Sequence, residues 1–300
     1  MGERYVFHPP LKLGLLFHVS ASSALLVVGG LSLWQALQSE VGPVFLLYLL
    51  PFLIALILVP FFAYRGYALR RAVYLMERDG ILLRWGLREE DIPMDIIHWV
   101  RPAKNLKFAP PRLRFPGAIL GVNLLGDGTQ VEYLASQLGA LVIIATSRRY
   151  FAISPADPDE FLRVYHRFAE MGSFTPIPAR SVYPSFLLAR VWASRPARFL
   201  LLGGITLSLV LLAVVSLVIP SRETISLGFK PDGAPTDPVP SVRLLMLPLL
   251  NGFFYLSDLL LGLFFYRRFG GQVLAYLLWG CGALTALLFL GAVYYILLTG

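Results

Sequence analysis

Residues 41–64 read VGPVFLLYLLPFLIALILVPFFAY, and no Asp, Glu, Lys or Arg interrupts them. About 20 apolar residues suffice for a helix to cross the hydrocarbon core of a bilayer, so this stretch predicts a membrane-spanning helix. The stretch from Leu13 to Ser39 is equally free of charge, and Glu40 to Pro43 supplies a tight turn between the two. The chain therefore opens with a predicted helical hairpin in the membrane.

Further apolar stretches follow a more polar middle section. We predict five spans, at residues 13–37, 43–64, 199–220, 244–266 and 272–298, with an external loop at 221–243. Hydrophobic residues make up 57% of the 300 residues and charged ones 15%, whereas soluble domains carry about 25% charged residues. The apolar residues of the first span continue to Leu37, beyond the length of a secretory signal core, so we expect an uncleaved anchor.

Basic residues near the span ends predict the orientation, because cytoplasmic loops are enriched in Lys and Arg. In a five-span arrangement one side receives Arg4, Lys12, Arg65, Arg70, Arg71, Arg195, Arg198, Arg267 and Arg268. The segment from Arg65 to Arg198 also has a net charge of +7, from 19 basic and 12 acidic residues. We therefore expect the N-terminus and the middle section in the cytoplasm and the C-terminus outside.

The middle section, residues 67–172, is predicted to be a β-domain closed by a helix, followed by a linker at 173–198. Asp79-Gly80 favours a hairpin turn between two apolar runs. The predicted strands cover 72–78, 81–88, 96–100, 119–125, 130–135, 140–145 and 150–153. Asp157 and Pro158 then predict a helix N-terminus, and the apolar residues from Phe161 to Phe168 recur at helical spacing.

The order of these motifs resembles the second half of a bacterial PH-like (pleckstrin-homology-like) domain family. The matching features are Pro116-Gly117, Asp127-Gly128, the apolar strand from Leu141 to Thr146, and Ile153-Ser154-Pro155 leading to Phe161. The resemblance implies a β-barrel or sandwich of about seven strands capped by a C-terminal α-helix, with membrane association. It implies no activity and no catalytic residues.

One basic run in this domain is a candidate surface for lipid headgroups or a partner. Its cations are Arg101, Lys104, Lys107, Arg112 and Arg114, and no acid lies among them. Each cation near anionic headgroups gains about 1 kcal/mol. A solvated, Pro-rich loop is the alternative. The hairpin loop at Glu77 to Gly80 carries two acids, which argues against a phosphoinositide pocket there.

Polar residues within the spans form a second candidate cluster. Asn251, Tyr255 and Asp258 recur at spacings of four and three, so they share one face of the fourth span. His18 lies at a similar predicted depth, and we hypothesise a hydrogen bond between His18 and Asp258. An intramembrane acid is a functional candidate by default, although contacts between helices are the commoner role of such polar residues.

The remaining patterns argue against an enzyme. The sequence contains no nucleophile elbow, no HExxH and no Walker loop, and its one cysteine, Cys281, excludes a cysteine zinc site. No catalytic residue, metal or cofactor is predicted, and no motif favours nucleic-acid binding. We interpret His98 and His166 as structural, and Arg148 and Arg149 as a solvated turn.

These features predict a bacterial inner-membrane protein whose PH-like domain acts as an interaction or scaffold module. Its expected partners are membrane lipids and either another protein or a second copy of the chain. One alternative is a small transporter or ion-coupled carrier centred on Asp258. Another is an accessory subunit of a larger membrane complex.

Overall fold

The computed structural model describes residues 3–103, 110–111, 114–125, 128–172, 177–182, 191–226, 228, 236–268 and 270–299. The chain divides into two compact units. The first comprises Met1–Val27 and Ala55–Pro184, and the second comprises Val28–Ile54 and Ser185–Gly300. The hairpin of the first two spans therefore contributes to both.

The elements run in chain order as β1 (Arg4–Phe7), α1 (Lys12–Gln38), α2 (Pro43–Arg70), β2 (Val73–Glu77), β3 (Gly80–Trp85), β4 (Arg88–Pro93), β5 (Ile97–Pro102), β6 (Ile119–Leu124), β7 (Gln130–Ala135), β8 (Val142–Thr146), β9 (Tyr150–Ile153), α3 (Pro158–Met171), β10 (Arg180–Val182), α4 (Arg195–Val218), β11 (Thr224–Ile225), β12 (Val239–Pro240), α5 (Met246–Tyr266) and α6 (Gln272–Thr299). Within the described residues, five helices are long and apolar enough to cross a membrane, namely all except α3. Their number equals the number of predicted spans, and these helices indicate a multi-pass membrane protein.

Two five-stranded sheets form the β-domain in the described part of the chain. The first has the order β1-β2-β3-β4-β10, and the second has the order β5-β8-β9-β7-β6. The pairing is antiparallel except between β7 and β9, which run parallel. A small ladder of β11 and β12 lies in the second unit.

The first sheet differs from the prediction at three strands. The segment 81–88, expected as one strand, is broken by a hairpin turn, because Gly86 adopts a left-handed φ of +65° and Trp85 pairs with Arg88. Strand β4 follows this turn. Strands β1 and β10 were not predicted, since β1 precedes the first membrane helix and β10 lies in the segment expected to be a linker.

The core of the β-domain lies between the two sheets. Alternate residues of β3, Ile81, Leu83 and Trp85, are buried there, as period-2 strand geometry requires. Helix α3 contributes Phe161 and Phe168 to the same apolar cluster. Its N-terminus is capped by the Asp157 side chain, which accepts a hydrogen bond from the Glu160 amide at 2.8 Å.

Candidate functional site

The β-domain is built directly onto the membrane hairpin. Strand β1 ends at Phe7, α1 and α2 follow, and β2 begins at Val73. Strands β1 and β2 nevertheless pair side by side, with Phe7 opposite Tyr74 and Arg4 opposite Glu77. Two membrane helices are therefore inserted between neighbouring strands of one sheet. We call the part of these helices in the first unit, residues 12–27 and 55–70, the stem.

One contact between the stem and the β-domain is glycine against glycine. A Cβ atom added to Gly14 of α1 would lie 2.5 Å from the Cα of Gly117, which itself has a φ of +73°. Leu69 of α2 fills the adjacent space and belongs to the domain core. Position 117 of the Pro-Gly motif therefore requires glycine for two reasons: its φ is positive, and the Gly14 backbone leaves no room for a Cβ atom.

Arg65 of α2 binds the same segment of the β-domain. Its Nη1 donates a hydrogen bond to the Ala118 carbonyl at 3.3 Å. Its guanidinium also lies 4.6 Å from the ring centroid of Phe61 and 4.5 Å from that of Phe115. Cation–π contacts of this kind contribute about 0.5–2 kcal/mol, depending on how far they are desolvated. The stem therefore contacts the β-domain through polar and aromatic side chains, in addition to the chain connections to β1 and β2.

A hairpin tip makes another stem contact. Gly86, at the turn between β3 and β4, packs so closely on Ala68 that an added Cβ would lie 2.7 Å from the Ala68 Cβ. The first sheet thus meets the stem at this tip and at the β1 to α1 junction.

A buried ionic cluster lies between the sheets and was missed by the sequence analysis. Its members are Arg88 and Glu90 of β4, Glu132 of β7, and Arg149 at the turn before β9. Arg149 donates to Glu132 at 2.8 Å and to Glu90 at 2.9 Å. Arg88 donates to Glu90 at 2.9 Å and lies 2.5 Å from Glu132. Each arginine therefore bridges both carboxylates, and the four charges form a closed ring.

The carboxylates of this ionic cluster are nearly inaccessible. The side chains of Glu90 and Glu132 are 2% and 1% exposed. Burial raises the pKa of Glu132 above its ordinary range, and the charges of Arg88 and Arg149 oppose this shift without cancelling it. Ser181 of β10 also donates to Glu90 at 2.6 Å, so the cluster fixes the last strand of the first sheet.

The expected solvated turn at Arg149 is wrong, because this side chain points between the sheets. Arg148, its neighbour, is exposed as expected. A local sequence pattern does not reveal this cluster, because its two acids, its two bases and their partner Ser181 come from distant segments of the chain. The detectable signal is the alternation of Arg88, Glu90 and Ile92, which places both charges on the same strand face as a buried isoleucine.

The predicted basic run is only partly described. Arg101 and Arg114 are exposed, whereas Lys104, Lys107 and Arg112 lie outside the described residues. The Arg101 guanidinium lies 5.5 Å from the ring centroid of Trp99, which in turn packs on Tyr150. The described end of this run is therefore a cation beside two aromatic rings at the surface.

In the hairpin loop at residues 77–80, the side chains of Glu77 and Arg78 contact other parts of the β-domain. Glu77 forms an ion pair with Arg4 at 2.5 Å. Arg78 donates to the carbonyls of Met171 and Gly172 at 2.7 Å each, which joins the loop to the end of α3.

In the second unit, polar side chains join the membrane helices. Asn251 donates to Ser208 of α4 at 2.8 Å, and the Tyr255 hydroxyl donates to the Leu201 carbonyl at 2.8 Å. Asp258 faces α6, where a Cβ added to Gly282 would lie 3.2 Å from its carboxylate. Asn251 and Tyr255 thus donate hydrogen bonds that join neighbouring helices.

His18 lies in the first unit, buried beside Phe17 and Phe62. Neither ring nitrogen has a hydrogen-bond partner among the described residues. The hypothesised hydrogen bond between His18 and Asp258 would join residues of the two units, and it stays a prediction. The described residues also contain no group of three or more His, Cys, Asp or Glu side chains arranged to hold a metal ion.

Comparison with known proteins identifies the β-domain. Residues 72–168 match the family model of the bacterial PH domain. The predicted resemblance is confirmed over this range, which begins after α2, ends within α3 and includes neither β1 nor β10. No curated protein and no solved structure matches the chain. The ionic cluster belongs to the PH domain, except for its contact with Ser181, and the stem lies outside the matched range.

Proposed function

We propose that this membrane-associated PH-domain protein is a scaffold, which holds its PH domain in a fixed position for a protein partner or for lipid headgroups. The observation that carries this proposal is the insertion of the stem between β1 and β2, reinforced by the contact of Gly14 with Gly117. The finer fold that we propose is a PH-like barrel of the two sheets, closed at one end by α3. A domain on a flexible tether would not need these contacts.

Holding the PH domain in a fixed position affects its free energy of binding. A partner that docks on a preorganised surface does not have to offset the entropy of ordering that surface. A domain held at a bilayer also keeps its basic residues within the range of the lipid surface potential, which falls off over about 10 Å. Arg101 and Arg114 are the described cations that such a surface would use.

We further propose that the N-terminus and the PH domain lie in the cytoplasm, on the basis of the arginines that end α2 and begin α4. A reporter fused after Tyr183 should then be active in the cytoplasm, and one fused after Gly300 should be active outside. The opposite pair of results would overturn the orientation.

Site-specific photo-crosslinking in native membranes tests the scaffold role. A photoreactive residue replaces Pro102, which is exposed and adjacent to Arg101, and a control replaces Glu170, which is exposed on α3. We expect a discrete adduct from position 102 and none from position 170. A protein adduct identifies a protein partner and a phospholipid adduct identifies headgroup binding. The absence of any adduct at position 102 would contradict the proposal for this surface.

The alternatives receive less support. Asp258 is the only charged residue in α5 and α6, and an ion path needs further charges. The carrier and the accessory subunit remain predictions from the sequence.

A further inference from the structure

A groove of about 520 Å³ lies between α1 and α2 in the first unit. Its apolar wall includes Leu15, Val19 and Phe62, and its polar lining includes His18, Ser22 and Arg70. All of these residues belong to helices that are long and apolar enough to cross a membrane, so lipids are the molecules to which this groove would be open.

His18 supplies the evidence that this groove is built for a ligand. The residue is 1% exposed, and both ring nitrogens lack a hydrogen-bond partner among the described residues. The backbone of Pro116 lies close to the ring and can engage at most one of its two nitrogens. The other nitrogen has no hydrogen-bond partner among the described residues.

The hydroxyl of Ser22 repeats the pattern one turn deeper in α1. It is buried and has no hydrogen-bond partner in the described part of the chain, although Ser20 nearby donates to the Phe17 carbonyl. An unpaired polar group in an apolar environment destabilises the structure that holds it. A bound molecule with hydrogen-bonding atoms at this depth would remove that destabilisation for both His18 and Ser22.

The position of Arg70 indicates the chemistry of the ligand. Gly66 of α2 lies against His18, since an added Cβ would be 3.3 Å from the His18 Cβ. Arg70 is one helical turn further along α2, about 6 Å toward the end of the helix, and its side chain is exposed. With increasing depth from the end of α2, the groove thus presents an exposed cation, a buried imidazole and the apolar side chains of Val19 and Phe62. An anionic glycerophospholipid presents a phosphate, acyl esters and a hydrocarbon chain in the same order.

We propose that the groove binds one anionic glycerophospholipid. The Arg70 guanidinium holds the phosphate, an N–H of His18 and the Ser22 hydroxyl donate to the two ester carbonyl oxygens, and an acyl chain lies along Val19 and Phe62. A neutral imidazole carries one N–H, and this contact requires the tautomer in which the nitrogen that faces the ester carries the proton.

Native mass spectrometry of the full chain in detergent tests this site with phosphatidylglycerol as the probe. We expect one lipid to bind more tightly than the rest and more tightly than phosphatidylcholine. His18→Leu and Arg70→Gln should each weaken that binding about tenfold, the effect of losing one hydrogen bond or charge contact. His18→Leu keeps an apolar fill, so its melting temperature should not fall.

Two further variants keep the result interpretable. Ala63→Phe places a ring in the groove from an exposed position and should also remove the tight site. Arg267→Gln removes an exposed arginine at the end of α5 and should leave the tight site unchanged. Equal losses in Arg70→Gln and Arg267→Gln would reduce the binding to general charge attraction and overturn the proposal. Tight binding that survives both His18→Leu and Ala63→Phe would overturn it as well.

Discussion

Replacing Arg149 with methionine should destabilise the PH domain strongly, because the ionic cluster then loses one of its two cations. Arg149 contacts both Glu90 and Glu132, and its own side chain is 27% exposed. Removing one partner of a buried ion pair typically costs about 3–5 kcal/mol, and the partial exposure of Arg149 favours the lower end. A loss of about 3 kcal/mol corresponds to a fall of roughly 10 °C in melting temperature for a unit of this size.

The pH dependence of Arg149→Met has a defined sign. Burial already raises the pKa of Glu132, and loss of a neighbouring positive charge raises it further. The folded state therefore binds more protons than the unfolded state at pH values above the unfolded carboxyl pKa of about 4.3. The free energy of unfolding then falls as the pH rises through this window, so the variant should lose less stability at pH 5 than at pH 8.

Thermal unfolding of the full chain in a mild detergent, measured at pH 5 and pH 8, provides the assay. Arg148→Met is the matched control, since it removes an exposed arginine from the adjacent position and should shift the melting temperature little. Adding Glu132→Gln to Arg149→Met should recover part of the loss, because it removes the uncompensated charge. Equal melting temperatures for Arg148→Met and Arg149→Met at pH 8 would refute the view that the cluster is a closed, buried ring.

Other predictions concern the stem contact and the membrane helices. Gly117→Ala combines a strained backbone with an overlap against Gly14, whereas Gly128→Ala has a positive φ but a Cβ that meets nothing. The first substitution should therefore lower the free energy of unfolding of the PH domain, measured by protease resistance, by at least about 2 kcal/mol more than the second. Equal effects would show that the contact with Gly14 contributes nothing. Asn251→Ala should lower thermal stability by only about 0.6–1 kcal/mol, the usual size of an interhelical hydrogen bond, and a larger loss would contradict a simple packing role. Proton flux into reconstituted vesicles should be at background for the unchanged protein and for Asp258→Asn alike. A flux above background that this substitution abolishes would favour the carrier.

The parts of this fold that could be predicted from the sequence are those that neighbouring residues determine. Each membrane helix is a run of apolar residues longer than the hydrocarbon core, so a local window suffices. The N-terminus of α3 is equally local, because Asp157 caps the amide of Glu160 three residues away. The turn at Asp79-Gly80 depends on two adjacent residues.

The parts that could not be predicted depend on pairing across long stretches of chain. Strand β1 has four residues, and its partner β2 lies beyond two membrane helices. Strand β10 has three residues and pairs with β4, about 90 residues earlier. The ionic cluster has the same origin, since Glu132 and Arg149 meet Glu90 only after two sheets have formed. A one-dimensional pattern carries little information about contacts of this kind.

The pairing of β1 with β2 also links the stability of the PH domain to the membrane hairpin. Residues 72–168 alone lack Phe7 of β1 and Leu69 of α2, both of which are buried in the domain core. They would also expose the hydrogen-bonding edge of β2, and an unpaired, apolar strand edge is prone to associate with other chains. The first sheet can be completed only once the chain has passed through α1 and α2 and returned. The stem therefore acts as part of the PH domain, and the position of the domain at the membrane follows from the order of elements along the chain.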